Sequence, residues 1–194
     1  MGNLKFEYLY IIKLFNNMEL RKFIKTTIRE YLNEQETLGN NRFEVYHGTK
    51  NEFNDFNYSF IKDGGLFGYG FYFSQSIKVS KEEGGNIIYK CLIFDKKSNI
   101  LDFRTNATMT KKIFNLINNG LQKNNKEPFD EYYLHYPTSQ FYNSFLLPKF
   151  VNEKVLTSFL LDCNIRGIMN NNQYKSLNFT VFDKNDIRIL ERVF

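Results

Sequence analysis

A chain of 194 residues, 42% hydrophobic and 24% charged, is long enough for one domain with an ordinary core and a short appendage, so neither disulfides nor a structural metal is required. Its net charge of +5 favours acidic or polyanionic partners through the overall field, yet no dense Lys/Arg block marks a nucleic-acid groove. Two cysteines, Cys91 and Cys163, have neither the number nor the spacing of a zinc site or a disulfide framework, which points to a reducing compartment.

The first apolar stretch, residues 6–15, is interrupted by Lys13 and lacks a small-residue cleavage site, which argues against a secretory signal. Phe6 stands where a myristoylation signal places Ser or Thr, and no apolar run is long enough to span a bilayer, so the chain reads as soluble. Residues 18–34 read as a basic amphipathic helix, with Leu20, Ile24, Ile28 and Leu32 recurring every fourth position. We therefore divide the chain into a helical segment at 1–36, a polar linker at 37–42 through Gly39-Asn40-Asn41, and a main domain at 43–194. The helix either packs on the domain behind it or serves as a docking tag.

Strand signals dominate from residue 43. Phe43-Glu44-Val45-Tyr46 leads into His47-Gly48-Thr49, and residues 70–74 follow a glycine-punctuated turn. Residues 86–94 are rich in β-branched and aromatic side chains, and 100–103 continue after a polar turn. Residues 109–122 read as a helix with Ile113, Leu116 and Ile117 on one face. The aromatic stretch 129–150 is ambiguous, because Pro137 and Pro148 limit any helix there. Residues 152–163 read as a helix with Val155, Leu156, Phe159 and Leu160 inward, and 167–169, 179–182 and 187–193 as strands. The pattern predicts a mixed α+β domain with short, mostly antiparallel strands.

Two motifs carry the chemistry. In His47-Gly48-Thr49, a histidine at a strand end precedes a glycine whose missing Cβ lets a ligand approach the backbone, so that a flat carboxamide could bond the Gly48 N–H and C=O. In Gly68-Tyr69-Gly70-Phe71-Tyr72-Phe73-Ser74, two glycines precede an aromatic strand without the helix start or the Gly-Lys-Ser/Thr of a phosphate loop, and Tyr72 and Tyr69 are candidate stacking platforms. Each motif also has an ordinary reading, a polar turn and a glycine-rich hairpin. A third segment, Leu177-Asn178-Phe179-Thr180-Val181-Phe182-Asp183, is a strand with Asn178 near its start.

In this order the three segments resemble the ADP-ribosyltransferase superfamily of the His-Tyr-Glu type, which includes diphtheria-type toxins and the poly(ADP-ribose) polymerases; the likeness is nearest to the modules found in phage polyvalent proteins. It runs over about residues 43–189 and includes the strand pair 87–102 and the run 160–168. The resemblance implies a split, mixed but mostly antiparallel sheet with flanking helices. It also implies that NAD is the substrate: His47 bonds the adenosine ribose, Gly48 holds the nicotinamide carboxamide with Thr49 in support, and Tyr72 stacks on the ring while Gly70 shapes the turn. The implied reaction is mono-ADP-ribosyl transfer to a macromolecule, a protein ahead of a nucleic acid, with release of nicotinamide through an oxocarbenium-like transition state. The expected protein is a monomer that acts in the cytoplasm or is delivered into a host cell.

Two positions depart from that pattern. The family's catalytic Glu falls on Asn178, whose amide oxygen accepts a hydrogen bond but carries no charge. Loss of one such electrostatic contact costs about a hundredfold in rate, which leaves a catalytically impaired module that binds NAD or a partner as the alternative. Glu83 stands where many relatives carry a second stacking Tyr, leaving Tyr69 or Tyr89 to substitute, and Glu82, Glu83 or Asp183 to supply the missing charge. Acceptor choice is expected in loops 54–63 and 123–148, with 129–150 facing substrate, closing as a lid or serving the core.

Overall fold

Every expected strand forms: β1 (Arg42–Thr49), β2 (Phe71–Ser74), β3 (Ile87–Asp95), β4 (Asn99–Asp102), β5 (Ile165–Asn171), β6 (Leu177–Val181) and β7 (Ile187–Arg192). The computed structural model describes residues 42–61, 68–171 and 176–193, which belong to one unit beginning at Arg42. The expected N-terminal helix and nearly all of the linker lie outside the described residues.

The strands make one sheet in the order β4-β5-β6-β2-β1-β3-β7. All neighbouring pairs are antiparallel except β4 with β5. The fold is therefore α+β, mostly antiparallel. The expected pairing of the two strands within 87–102 does not form: β4 lies at the far edge, parallel to β5, with Leu101 opposite Ile168. Burial explains this, since Leu101 and Ile168 enter one apolar cluster while Ile93 and Phe94 of β3 belong to another.

Among the described residues four α-helices flank the sheet: α1 (Ile77–Gly84), α2 (Lys111–Lys123), the single turn α3 (Thr138–Phe141) and α4 (Glu153–Asp162). Ser76, Thr110 and Asn152 cap α1, α2 and α4, each side chain accepting a backbone N–H three residues on; such caps contribute about 1 kcal/mol each. On α2 the buried face is Ile113, Phe114, Ile117 and Leu121. On α4 it is Leu156, Thr157, Phe159 and Leu160, while the expected Val155 is 45% exposed. Thr157 takes the inward position because its hydroxyl donates to the Tyr69 carbonyl at 3.2 Å.

One core cluster packs α2, α4 and residues 141–146 against Leu101, Ile165 and Ile168. Phe141, Tyr142 and Leu146 are almost fully buried, so the aromatic stretch 129–150 builds core through short helical turns. The other cluster, from Val45, Phe56, Phe71, Phe73, Tyr89, Ile93 and Phe179, lies on the opposite face. It spans the middle of the sheet, where the site lies.

Candidate functional site

β1 matches β3 along its whole length, but β1 and β2 share a single register pair, Tyr46 with Ser74. The neighbouring bonds reveal which way the backbone faces beyond that pair. Val193 donates to the Ile88 carbonyl at 2.8 Å, which turns Ile88 toward β7. Alternation along an antiparallel ladder then turns Ile87 and Tyr89 toward β1, and their partners Thr49 and His47 toward β3. Gly48, between those two, directs its N–H and C=O toward β2. The next rung would join Gly48 to Tyr72, and the register contains none. In its place the His47 imidazole donates from Nδ1 to the Tyr72 carbonyl, 2.8 Å away.

This bond fixes the chemistry of His47. A carbonyl only accepts, so Nδ1 carries the proton and the neutral ring presents Nε2 as an acceptor. The ring packs against Phe53, Phe56 and Phe73 at centroid distances of 5.8, 5.0 and 5.4 Å. Burial among them lowers the imidazole pKa below its usual 6.5, an effect the Tyr72 carbonyl only partly offsets. Neutral His47 suits a hydroxyl donor better than an anion.

Tyr72 and His47 touch through backbone, not ring to ring. Phe73 packs beside the imidazole, so the pleat sends the Tyr72 side chain off the opposite face. There Tyr72 is 37% exposed, and its hydroxyl donates to the Gly68 carbonyl at 2.7 Å. Asn178 shares that face: Tyr72 pairs with Thr180 and Ser74 with Asn178, which makes Asn178 the diagonal neighbour of Tyr72. The Asn178 Oδ1 is buried and meets no hydrogen-bond donor among the described residues. The structure therefore does not bring the expected site side chains together: His47 emerges on one face of the sheet, and Tyr72 with Asn178 on the other.

The remaining expected positions serve in other ways. At Gly48 a Cβ would stand 1.8 Å from the Ser80 carbonyl oxygen, so the missing side chain admits α1 rather than open space for a ligand. At Gly70 a Cβ would meet the Val181 carbonyl at 2.7 Å, so this glycine lets β2 approach β6, while Gly68, at φ +90°, makes the turn. Thr49 closes a local turn, its hydroxyl donating to the Asn51 carbonyl at 3.2 Å. Tyr69 is held by its hydroxyl on the Tyr58 carbonyl, with the Lys154 ammonium 5.7 Å over its ring. Tyr89 is buried and receives the Phe53 N–H on its hydroxyl, so it forms core instead of a second stacking wall.

The carboxylates considered as charge donors are committed or remote. Glu82 lies exposed beside Lys78 on α1, and Glu83 is exposed on the same helix. Asp183 caps Asn185, accepts the Tyr58 hydroxyl and pairs with Arg166 at 3.2 Å. Burial raises the Cys91 thiol to about 12, which removes it as a nucleophile. Among the described residues no cluster of His, Cys, Asp or Glu is arranged to hold a metal ion.

No family model and no curated protein matches this chain. One solved structure, described as the crystal structure of an anti-CRISPR protein, is similar over 78% of this chain and 98% of its own, with a TM-score of 0.37 and 9% identity. At that TM-score and identity the likeness assigns no function to this chain.

Three contributors to this region were missed in the sequence. Ser80, buried on α1, donates to the Tyr46 carbonyl at 2.9 Å and ties the helix to β1. Its helix has few buried positions, Val79 and Ser80, so it carries almost no apolar periodicity; the Ser76 cap was the one legible signal. Tyr142, from the ambiguous aromatic stretch, brings a buried hydroxyl with no hydrogen-bond partner among the described residues beside Gly68, and burial holds that phenol far above its usual pKa. Asn170 faces Asn178 across β5 and β6, and its Oδ1 likewise lacks a partner.

Proposed function

We propose that the interrupted β1–β2 ladder marks an NAD-binding site and that the protein is a mono-ADP-ribosyltransferase of the His-Tyr-Glu type. The interrupted ladder carries this reading. A ladder without its Gly48–Tyr72 rung leaves the Gly48 peptide outside the β1–β2 hydrogen bonding, next to a strand that carries the exposed Tyr72 ring, and such a peptide suits a nicotinamide carboxamide. Neutral His47, with its proton fixed on Nδ1, is suited to accept a ribose hydroxyl at Nε2.

In the proposed reaction the bond between the ribose anomeric carbon and the nicotinamide nitrogen breaks, and its electron pair leaves with nicotinamide. A nucleophile on the acceptor bonds that carbon and gives its proton to solvent. Gly48 and Tyr72 hold the leaving group, and Asn178 accepts from a hydroxyl of the ribose that develops positive charge.

Asn178 specifically favours a second reading, an NAD-binding module with little transfer activity, because a neutral amide supplies no full charge to the transition state. Incubation with NAD labelled in its adenylate half, together with calorimetric titration of unlabelled NAD, separates the readings. Transfer of label and release of nicotinamide support the enzyme. Binding without release supports the module, and absence of both refutes the cleft.

A further inference from the structure

Asn170 and Asn178 stand directly opposite each other across β5 and β6. Asn170 is 5% exposed, and Oδ1 of each side chain is buried without a hydrogen-bond partner among the described residues. Two orphaned amide oxygens on directly opposed residues are a concentrated desolvation penalty, and in strands a β-branched apolar residue would remove it. Their neighbours on the same face, Ile168 and Thr180, are buried, so the pair is built into the sheet rather than left at a ragged edge. Asn178, only half-buried, lies across from Ser74 and diagonal to Tyr72, which links the pair to the rim of the cleft.

The two oxygens define what fits them. They need donors, which excludes carboxylates and phosphates. A hard cation needs six to eight oxygens, about three or four times what this pair offers. Cross-strand Cβ atoms stand about 4.5–5.5 Å apart, and amides turned toward each other bring their oxygens to the spacing of neighbouring hydroxyls. We infer that Asn170 and Asn178 together receive the vicinal hydroxyls of a ribose, one on each amide oxygen. This rests on the NAD reading above and adds to it Asn170 as a sugar-binding residue, with a division of the diol between two strands.

Calorimetric titration of the full chain tests it with three probes: NAD, an analogue with fluorine in place of the 2′-hydroxyl of the nicotinamide ribose, and an analogue lacking the 3′-hydroxyl of that ribose. For Asn170→Ala the expected loss is about tenfold in NAD affinity, disappearing with one analogue. Asn178→Ala should lose a similar factor that disappears with the other. An Asn170→Ala protein that binds NAD as the wild type does overturns the inference while leaving the cleft intact. An equal loss for all three probes does the same, because it marks a pocket that holds only water. In the wild type both hydroxyls must count, so unchanged affinity on removing either one overturns the inference whether or not the variants fold. A wild type that binds no NAD refutes the cleft reading and this inference with it.

Discussion

The His47 imidazole and the Tyr72 carbonyl share a 2.8 Å hydrogen bond across the place where the β1–β2 ladder lacks a rung. A side chain thus replaces a backbone donor at the centre of the sheet. The bond holds the two strands at a fixed distance while leaving the Gly48 peptide uncommitted to the ladder.

Protonation of His47 should weaken the fold. Its pKa is lowered in the folded state, so the unfolded chain binds the proton more readily. The contribution to stability is complete above the unfolded value of about 6.5 and is lost as pH falls from there through the folded value. Urea midpoints measured between pH 7.5 and 4.5 should fall more steeply for the wild type than for His47→Phe. Identical slopes would mean that the ring is not buried as a neutral group. NAD affinity should decline over the same window, because protonated Nε2 no longer accepts.

Gly48→Ala should displace α1. The added methyl would sit 1.8 Å from a backbone oxygen of Ser80, which no side-chain rotation relieves. Overpacking of this kind costs about 1–3 kcal/mol, or roughly 2–4 °C in Tm per kcal/mol for a domain of this size. Thr49→Ala, altering an exposed turn, should shift Tm far less. Equal melting temperatures for the two variants would contradict the packing of α1 on β1.

Tyr72 offers a test of stacking against hydrogen bonding. Tyr72→Phe keeps the ring and loses only the bond to the Gly68 carbonyl, whereas Tyr72→Ala removes both. If the ring stacks on nicotinamide, Ala should bind NAD about tenfold more weakly than Phe, in line with about 0.5–1.5 kcal/mol for aromatic pairing beyond area burial. Equal affinities would remove Tyr72 from the cofactor surface.

Charge at position 178 should separate binding from catalysis. Asn178→Glu places a carboxylate on the same face as Tyr72, and nicotinamide release should rise about a hundredfold. The release rate under saturating NAD is the measurement. No increase would show that this side chain does not face the reacting ribose.

Arg166 should be a point of fragility away from the cleft. Its guanidinium bonds Asp186 at 2.8 Å through Nε and Asp183 at 3.2 Å through Nη2. Asp183 in turn holds Tyr58, and Lys184 holds Asp55, so the network pins residues 55–58 to the β6–β7 corner. Arg166→Met leaves two half-buried carboxylates facing each other and should cost about 2 kcal/mol or more. Thermal melts check this, and a loss near zero would mean that solvent already screens the network.

The strands were legible because their residues combine β-branched and aromatic side chains with turn punctuation. Two longer helices were legible because Ile113 and Ile117, or Leu156 and Leu160, repeat at helical spacing. Strand order was not, since nothing in residues 99–102 announces a parallel partner that begins only at Ile165. At the site, His47, Gly48, Tyr72 and Asn178 stood out as motifs, yet their motifs do not record on which face each side chain emerges. Asn170 carried no signal at all, because an asparagine within a run of asparagines reads as a polar loop until a cross-strand partner makes it a buried amide.

At the middle of the sheet, Phe53, Phe56 and Phe73 surround His47 where β1 and β2 share one register pair. Hydrogen bonds demand direction, whereas aromatic faces tolerate small slippage with little loss. The half carrying β4, β5, β6 and β2 therefore meets the half carrying β1, β3 and β7 through one register pair, one imidazole bond and a nest of rings, so a change at His47 should be felt by both halves.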